Sequence, residues 1–229
     1  MADLWVLVPS RGRPASVERL VRACALTCQA DTKLHFAFDE DDEKIGANLL
    51  AAKGCQVTTG PRDNLAGWTN KLAALHPDAP ALASIGDDHL PVTDGWDAKL
   101  LAALPPGGGF TYPDDERRVD IPEAVVAAGP IVRALGWFAH PDLRHWHIDQ
   151  VWADLGRGAD CLVFCRDVLV RHLHPNVAPG VPGDATYSDA AKDWDHDMRV
   201  YARWRIRASG MRADIATVAG VRAAPAAAV

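Results

Sequence analysis

The chain has 229 residues, 48% of them hydrophobic, and a formal net charge of −6. That length fits one domain with a sizeable core, and the negative balance excludes a surface built mainly for polyanions while leaving room for a local basic strip. No apolar run approaches a membrane span, and the N-terminal stretch lacks the long apolar core of a signal peptide, so a soluble, cytoplasmic protein is expected.

In chain order, Leu4-Trp5-Val6-Leu7-Val8 is a continuous apolar run of the kind interior parallel strands show. It breaks at a loop holding Pro9, Ser10, Arg11, Gly12, Arg13 and Pro14. Val17, Leu20, Val21, Cys24 and Cys28 then recur at helical spacing. A second strand is predicted over 34–38, ending in Asp39, Glu40, Asp41 and Asp42. A helix to about Lys53 and a short strand over 56–58 complete a strand–helix–strand–helix–strand opening, which implies a Rossmann-like half with right-handed crossovers. A loop over 60–67 leads into a helix over 68–75. Residues 79–85 read as a buried strand, 91–95 as a turn and 96–104 as a helix.

Pro105-Pro106-Gly107-Gly108-Gly109 separates this half from a less regular second one. Strands are expected there at 110–112, 125–128, 162–164 and 168–174, and helices at 131–137 and 148–155. A Gly/Pro-rich loop over 176–183, a final helix over about 189–209 and a small-residue tail over 223–229 follow. The fold class is therefore α/β, with a single domain over 1–222 made of halves 1–104 and 110–210. Cys24, Cys28, Cys55, Cys161 and Cys165 are odd in number and form no Cys-x-x-Cys, so neither a zinc site nor a disulfide framework is expected.

Chemistry-bearing residues gather at strand ends. The buried strand over 79–85 stops at Gly86-Asp87-Asp88-His89, and in open α/β sheets that edge is where ligands bind. Oxygen ligands there suit Mg²⁺ or Mn²⁺, although Asp is also a common cap and turn residue. His172 and His174 lie two apart on a predicted strand and so share one face. Arg11 and Arg13 on a Gly-containing loop suit phosphates, and Arg62, Asn64 and Lys71 add polar reach at the same edge. The last helix carries Arg199, Arg203, Arg205, Arg207 and Arg212, with Trp194, Tyr201 and Trp204 interleaved and Asp193, Asp195 and Asp197 diluting the charge. It reads as a solvated face with aromatics turned to the core, a phosphate-bearing acceptor or nucleic acid being the alternative.

The loop over 8–14, the acidic end of the second strand, Asn70-Lys71, Gly86-Asp87-Asp88-His89, Gly95-Trp96-Asp97 and the late His-x-His together resemble a GT-A fold, nucleotide-sugar-dependent glycosyltransferase. The likeness is to family-2-like enzymes, including those of phages, and spans most of residues 4–204. It implies a nucleoside-diphosphate sugar as donor, with Mn²⁺ or Mg²⁺ as cofactor. Pro9, Ser10, Arg11 and Arg13 would line the nucleotide site, together with Arg62 and Lys71. Asp39 would contact the uracil or ribose. Asp87, Asp88 and His89 stand where the family has Asp-x-Asp, with His replacing the third acid, and His172 or His174 would supply a late metal contact. Asp149, at the start of a helix, matches the base of inverting members. The helix dipole there predicts a lowered pKa, which does not favour a base; Asp114 or Asp115 is the substitute. The acceptor stays open among glycan, protein, lipid, small molecule and modified DNA base. A nucleotidyltransferase and a non-catalytic nucleotide-sugar-binding module are the competing readings.

Overall fold

The computed structural model describes residues 2–174 and 185–224. The predicted loop over 176–183 and residues 225–229 of the predicted tail lie outside them. Four parallel strands open the fold: β1 (Leu4–Pro9), β2 (Thr32–Asp39), β3 (Gln56–Gly60) and β4 (Ala81–Ser84). Between them run α1 (Pro14–Thr27), α2 (Ile45–Ala51) and α3 (Leu65–Ala74). β5 (His89–Pro91), α4 (Trp96–Ala102), β6 (Phe110–Asp114), β7 (Val125–Ala128), α5 (Gly129–Leu135), α6 (Ile148–Gly158), β8 (Leu162–His172), α7 (Ala185–Ala191), α8 (Trp194–Ile206) and α9 (Met211–Ala223) complete it. The eight strands lie in the order β3-β2-β1-β4-β7-β6-β8-β5. β7 runs antiparallel to both β4 and β6, β6 and β8 are parallel, and β5 is antiparallel to β8.

β1 shows why its sequence reads as an unbroken apolar run. Leu4, Val6 and Val8 point into one core with Val17, Leu20 and Cys24 of α1, while Leu7 points into the other with Trp68 and Leu72 of α3. A strand covered on both faces needs apolar residues at every position. Asp97 and Trp96, part of the family resemblance, are fully buried. The Asp97 carboxylate accepts from Gln29 N (2.9 Å), Ala30 N (3.1 Å) and Thr32 Oγ1 (2.6 Å), which bolts α4 to the turn between α1 and β2.

The structure departs from the sequence reading in three places. The two strands expected at 162–164 and 168–174 are one strand, β8, with exposed Arg166 and Asp167 at its middle. The register against β6 shifts there, from Pro113↔Cys165 to Asp114↔Leu169, and the end of β8 pairs with β5 instead. β5 itself was not legible, since three residues ending in proline carry no periodicity. The final helix expected over about 189–209 is broken by a turn at 192–193 into the end of α7 and all of α8, and a further helix, α9, follows Gly210. Val218 of α9 is fully buried in the core, so residues 211–222, for which no element was expected, belong to a packed helix.

Candidate active site

The C-terminal ends of β1, β2 and β4 meet at the loop after β1. Gly12 takes a positive φ of 70° and donates its N–H to Asp42 Oδ2 at 2.7 Å. Asp42 also accepts from Lys44 N (2.9 Å) and Asn48 Nδ2 (2.8 Å). Arg11 bonds Asp39 at 2.9 Å and also Asp41. The acidic end of β2 therefore holds this loop in shape, which composition alone did not reveal. Asp39 is buried and further accepts from Trp68 Nε1 (2.6 Å) and Asp63 N (3.1 Å), so three of its roughly four acceptor positions are used within the chain. Lys71 pairs with Asp63 at 2.9 Å and lies over the Trp68 ring at 4.6 Å. Arg62 pairs with Asp189 at 3.0 Å, and both Arg62 and Lys71 stand on the exposed rim.

Ser10 and Arg13 turn inward, the backbone entering from Pro9 with Ser10 N bonded to Ala37 O at 3.0 Å. Ser10 Oγ donates to Asp87 Oδ2 at 2.5 Å, and Arg13 lies 3.1 Å from Asp87 Oδ1 and 3.8 Å from Asp88 Oδ2. Burial pushes Asp87 up to about 6, against the pull of Arg13.

Asp88, His89 and His172 each offer a ligand atom within 4.8 Å of the others. Their closeness follows from the sheet: His89 of β5 and His172 of β8 are register partners, and their rings stack at 4.1 Å. Gly86 makes the turn before them possible, because a Cβ there would lie 2.5 Å from Asp88 Oδ1 and 2.9 Å from His89 Nδ1. Gly86 N donates to His89 Nδ1 at 3.0 Å, and Asp88 Oδ1 lies 3.3 Å from the same nitrogen. Its Nε2 is buried with no hydrogen-bond partner among the described residues. An orphaned buried nitrogen costs stability unless something binds it. Because Nδ1 accepts from Gly86 N, the neutral ring carries its proton on Nε2, and a dication held with Asp88 would take the place of that buried, unpartnered proton. Two imidazoles and a carboxylate suit a transition metal better than Mg²⁺, which leaves Mn²⁺ the better of the two expected ions.

His172 lies 3.4 Å from Asp88 through Nε2 and 2.6 Å from Glu123 through Nδ1. Burial alone would lower its pKa, but the bonds to Asp88 and Glu123 outweigh burial and raise it to about 9. For Asp88 burial acts upward, and the bonds from His172 and His89 overturn it and hold the carboxyl well below the usual range. An imidazolium thus supplies the positive charge that a bound cation would bring. His174 packs edge-on against His172, ring centres 5.5 Å apart.

Glu123 was not singled out from sequence, because it lies in an irregular segment with no periodic or spacing signal. It is braced by Arg117 at 3.0 Å and orients the His172 ring. Such partners of a metal-binding histidine typically contribute 10–100-fold in affinity. Glu123→Gln is expected to weaken Mn²⁺ binding by about that factor, with the fold retained, as titration calorimetry would read. Asp115 also lies close, but its carboxylate accepts from Arg117 N (2.7 Å) and Arg118 N (2.8 Å) and closes a turn.

Asp149 sits in the first turn of α6, behind His147, whose φ is 65°. Its carboxylate accepts from Gln150 N at 2.8 Å. The expected lowering of its pKa is wrong in sign: burial outweighs that backbone bond and pushes Asp149 up to about 6. α8 fixes this segment from behind. Fully buried Asp197 accepts from the N–H groups of Arg144, His145 and Trp146 at 2.8–3.0 Å, and the Tyr201 ring stacks on His147 at 4.8 Å.

No protein-family model and no curated protein matches the sequence. Solved structures do match in fold. The mannosyltransferase PcManGT of Pyrobaculum calidifontis, in complex with GDP-Man and Mn²⁺, is 12% identical with a TM-score of 0.67, covering 97% of this chain and 70% of that one. Residues 1–349 of S. aureus TarS with UDP-GlcNAc are 8% identical with a TM-score of 0.58, covering 96% and 71%; against full TarS the match spans 42% of that chain. Glucosyl-3-phosphoglycerate synthase of Mycobacterium tuberculosis, with Mn²⁺, UDP and phosphoglyceric acid, is 10% identical with a TM-score of 0.58, covering 99% and 80%. At these identities the likeness establishes the fold. Among the described residues no helix is long and apolar enough to cross a membrane.

Proposed function

We propose that this chain, whose fold is that of the GT-A nucleotide-sugar glycosyltransferases, is a divalent-metal-dependent enzyme of that kind. It moves a sugar from a nucleoside diphosphate, UDP in the favoured reading, to an acceptor hydroxyl with inversion. The observation that carries this is the Asp88–His89–His172 cluster at the end of the parallel strands, beside the Ser10–Arg13–Asp87 network. A cation held there would offset the charge on the donor diphosphate.

The chain's own residues do the rest. Arg13 and Ser10 hold Asp87 at the floor of the nucleotide site, and Arg11 is kept in place by Asp39. Lys71 and Arg62 on the rim are able to leave their exposed ion pairs for phosphate oxygens at little cost. Asp149 takes the proton from the acceptor hydroxyl, and its raised pKa supports that role, since a base works best when poised near the operating pH.

Incubation with Mn²⁺ and a panel of sugar nucleotides tests the reading. Metal-dependent release of nucleoside diphosphate is the expected result. Tight binding of a sugar nucleotide without release would make the chain a binding module. Pyrophosphate released from a nucleoside triphosphate and a sugar phosphate would make it a nucleotidyltransferase.

A further inference from the structure

The outward side of α8 takes no part in the site, and its residues are ordered. Trp194, Met198, Ala202 and Ile206 recur every fourth position and so line one stripe. All four are exposed, Ile206 to 84%, so the expectation that Trp194 turns to the core fails. Arg199 and Arg203 border the stripe on one side and Arg205 on the other, with Arg207 capping the helix. Against them the exposed face of this helix carries one acid, Asp195. Among the described residues, Arg199, Arg203 and Arg207 make no salt bridge, while Arg205 lies 3.5 Å from Asp154.

A merely solvated face would explain the arginines but not Met198 and Ile206 exposed in line with Trp194, which packs on Trp146 and His147 by one side only. Arginines on either side of an apolar stripe are what a helix lying in the plane of a bilayer interface has. The stripe enters the acyl boundary and the guanidinium groups meet the headgroup phosphates. Nucleic acid would use the arginines yet leave the stripe in water. A second copy meeting this face symmetrically would set arginine against arginine.

We propose that the outer face of α8 docks the protein on an anionic lipid bilayer. Trp194 also touches the Trp146 and His147 rings, at 5.1 and 5.2 Å between centres, so the docked surface adjoins the Asp149 segment.

Co-sedimentation of the full chain with phosphatidylcholine vesicles carrying about one third phosphatidylglycerol tests this. The protein is expected to bind them at low salt, to be released at high salt and to ignore pure phosphatidylcholine. Reversing three charges together (R199E, R203E, R207E) should lower partitioning about a hundredfold or more. The paired change M198D and I206D should do likewise with every arginine kept. All five side chains are exposed, so unchanged circular dichroism and melting are expected of both variants. Absence of binding to anionic vesicles overturns the proposal, as does normal binding by M198D/I206D. So does wild-type affinity for duplex DNA exceeding that for vesicles, or a dimer dissolved by I206D without vesicle affinity.

Discussion

Asp149→Asn is expected to lower sugar transfer by about 10²–10⁴-fold, the range a positioned general base contributes, while leaving Mn²⁺ and donor affinity near wild type. Transfer kinetics and calorimetry on the same preparation read both. The wild-type rate should fall as pH drops through about 6, where Asp149 takes up its proton. A loss of donor affinity equal to the loss of transfer would remove the residue from the role. The same substitution carries a stability signature. A carboxyl whose folded pKa is raised binds a proton more tightly folded than unfolded. Its contribution is therefore greatest below the unfolded pKa and is lost as pH rises through about 6. At neutral pH the native carboxylate is a half-buried, poorly solvated charge that destabilises. Asn removes it, so the variant should melt higher than wild type at pH 7–8 and lose that advantage in acid. A residue kept at a cost to stability is one the fold does not need, and a capping role predicts the opposite sign.

Removing a ligand of the cation cluster should have an effect of similar size. Wild-type protein at a hundred times the Kd for Mn²⁺ gains about 2.7 kcal/mol, which for a domain of this length is a rise in Tm of about 5–10 °C. His89→Ala and His172→Ala should each abolish that rise and the metal dependence of donor binding. The two differ in the metal-free state. His89 gives up an orphaned nitrogen, whereas His172→Ala leaves Asp88 and Glu123 as neighbouring buried acids without their shared cation. Metal-free His172→Ala should therefore melt well below metal-free His89→Ala. Undiminished Mn²⁺ stabilisation in both variants would exclude this cluster as the site.

Legibility followed the physics of each segment. The parallel half was readable because strands buried on both faces spell themselves as apolar runs that end abruptly, and Asp39 and Asp87 stand at those ends. Asp88, His89 and His172 were singled out by residue type, and only the family resemblance joined them, since their convergence depends on β5, whose three residues have no pattern. Glu123 was invisible for the same reason: its partner is chosen by the tertiary fold. The electrostatics expected of Asp149 came out reversed, because a helix start announces its dipole in sequence and its burial does not. Asp97, named only as part of the family resemblance, is a structural clamp.

β8 leaves one partner strand for another along its length, and its last residue closes the cation cluster across a three-residue edge strand. Few backbone hydrogen bonds hold that edge, and the chain segments they join are far apart in sequence. Linking such segments is where a cross-link gains the most, because the entropy lost in closing a long loop has already been met. The cation would act on the fold as a rivet as well as on the substrate. Fraying of the sheet edge and loss of the ion then become one equilibrium, and molecules with an open edge would be inactive without being unfolded.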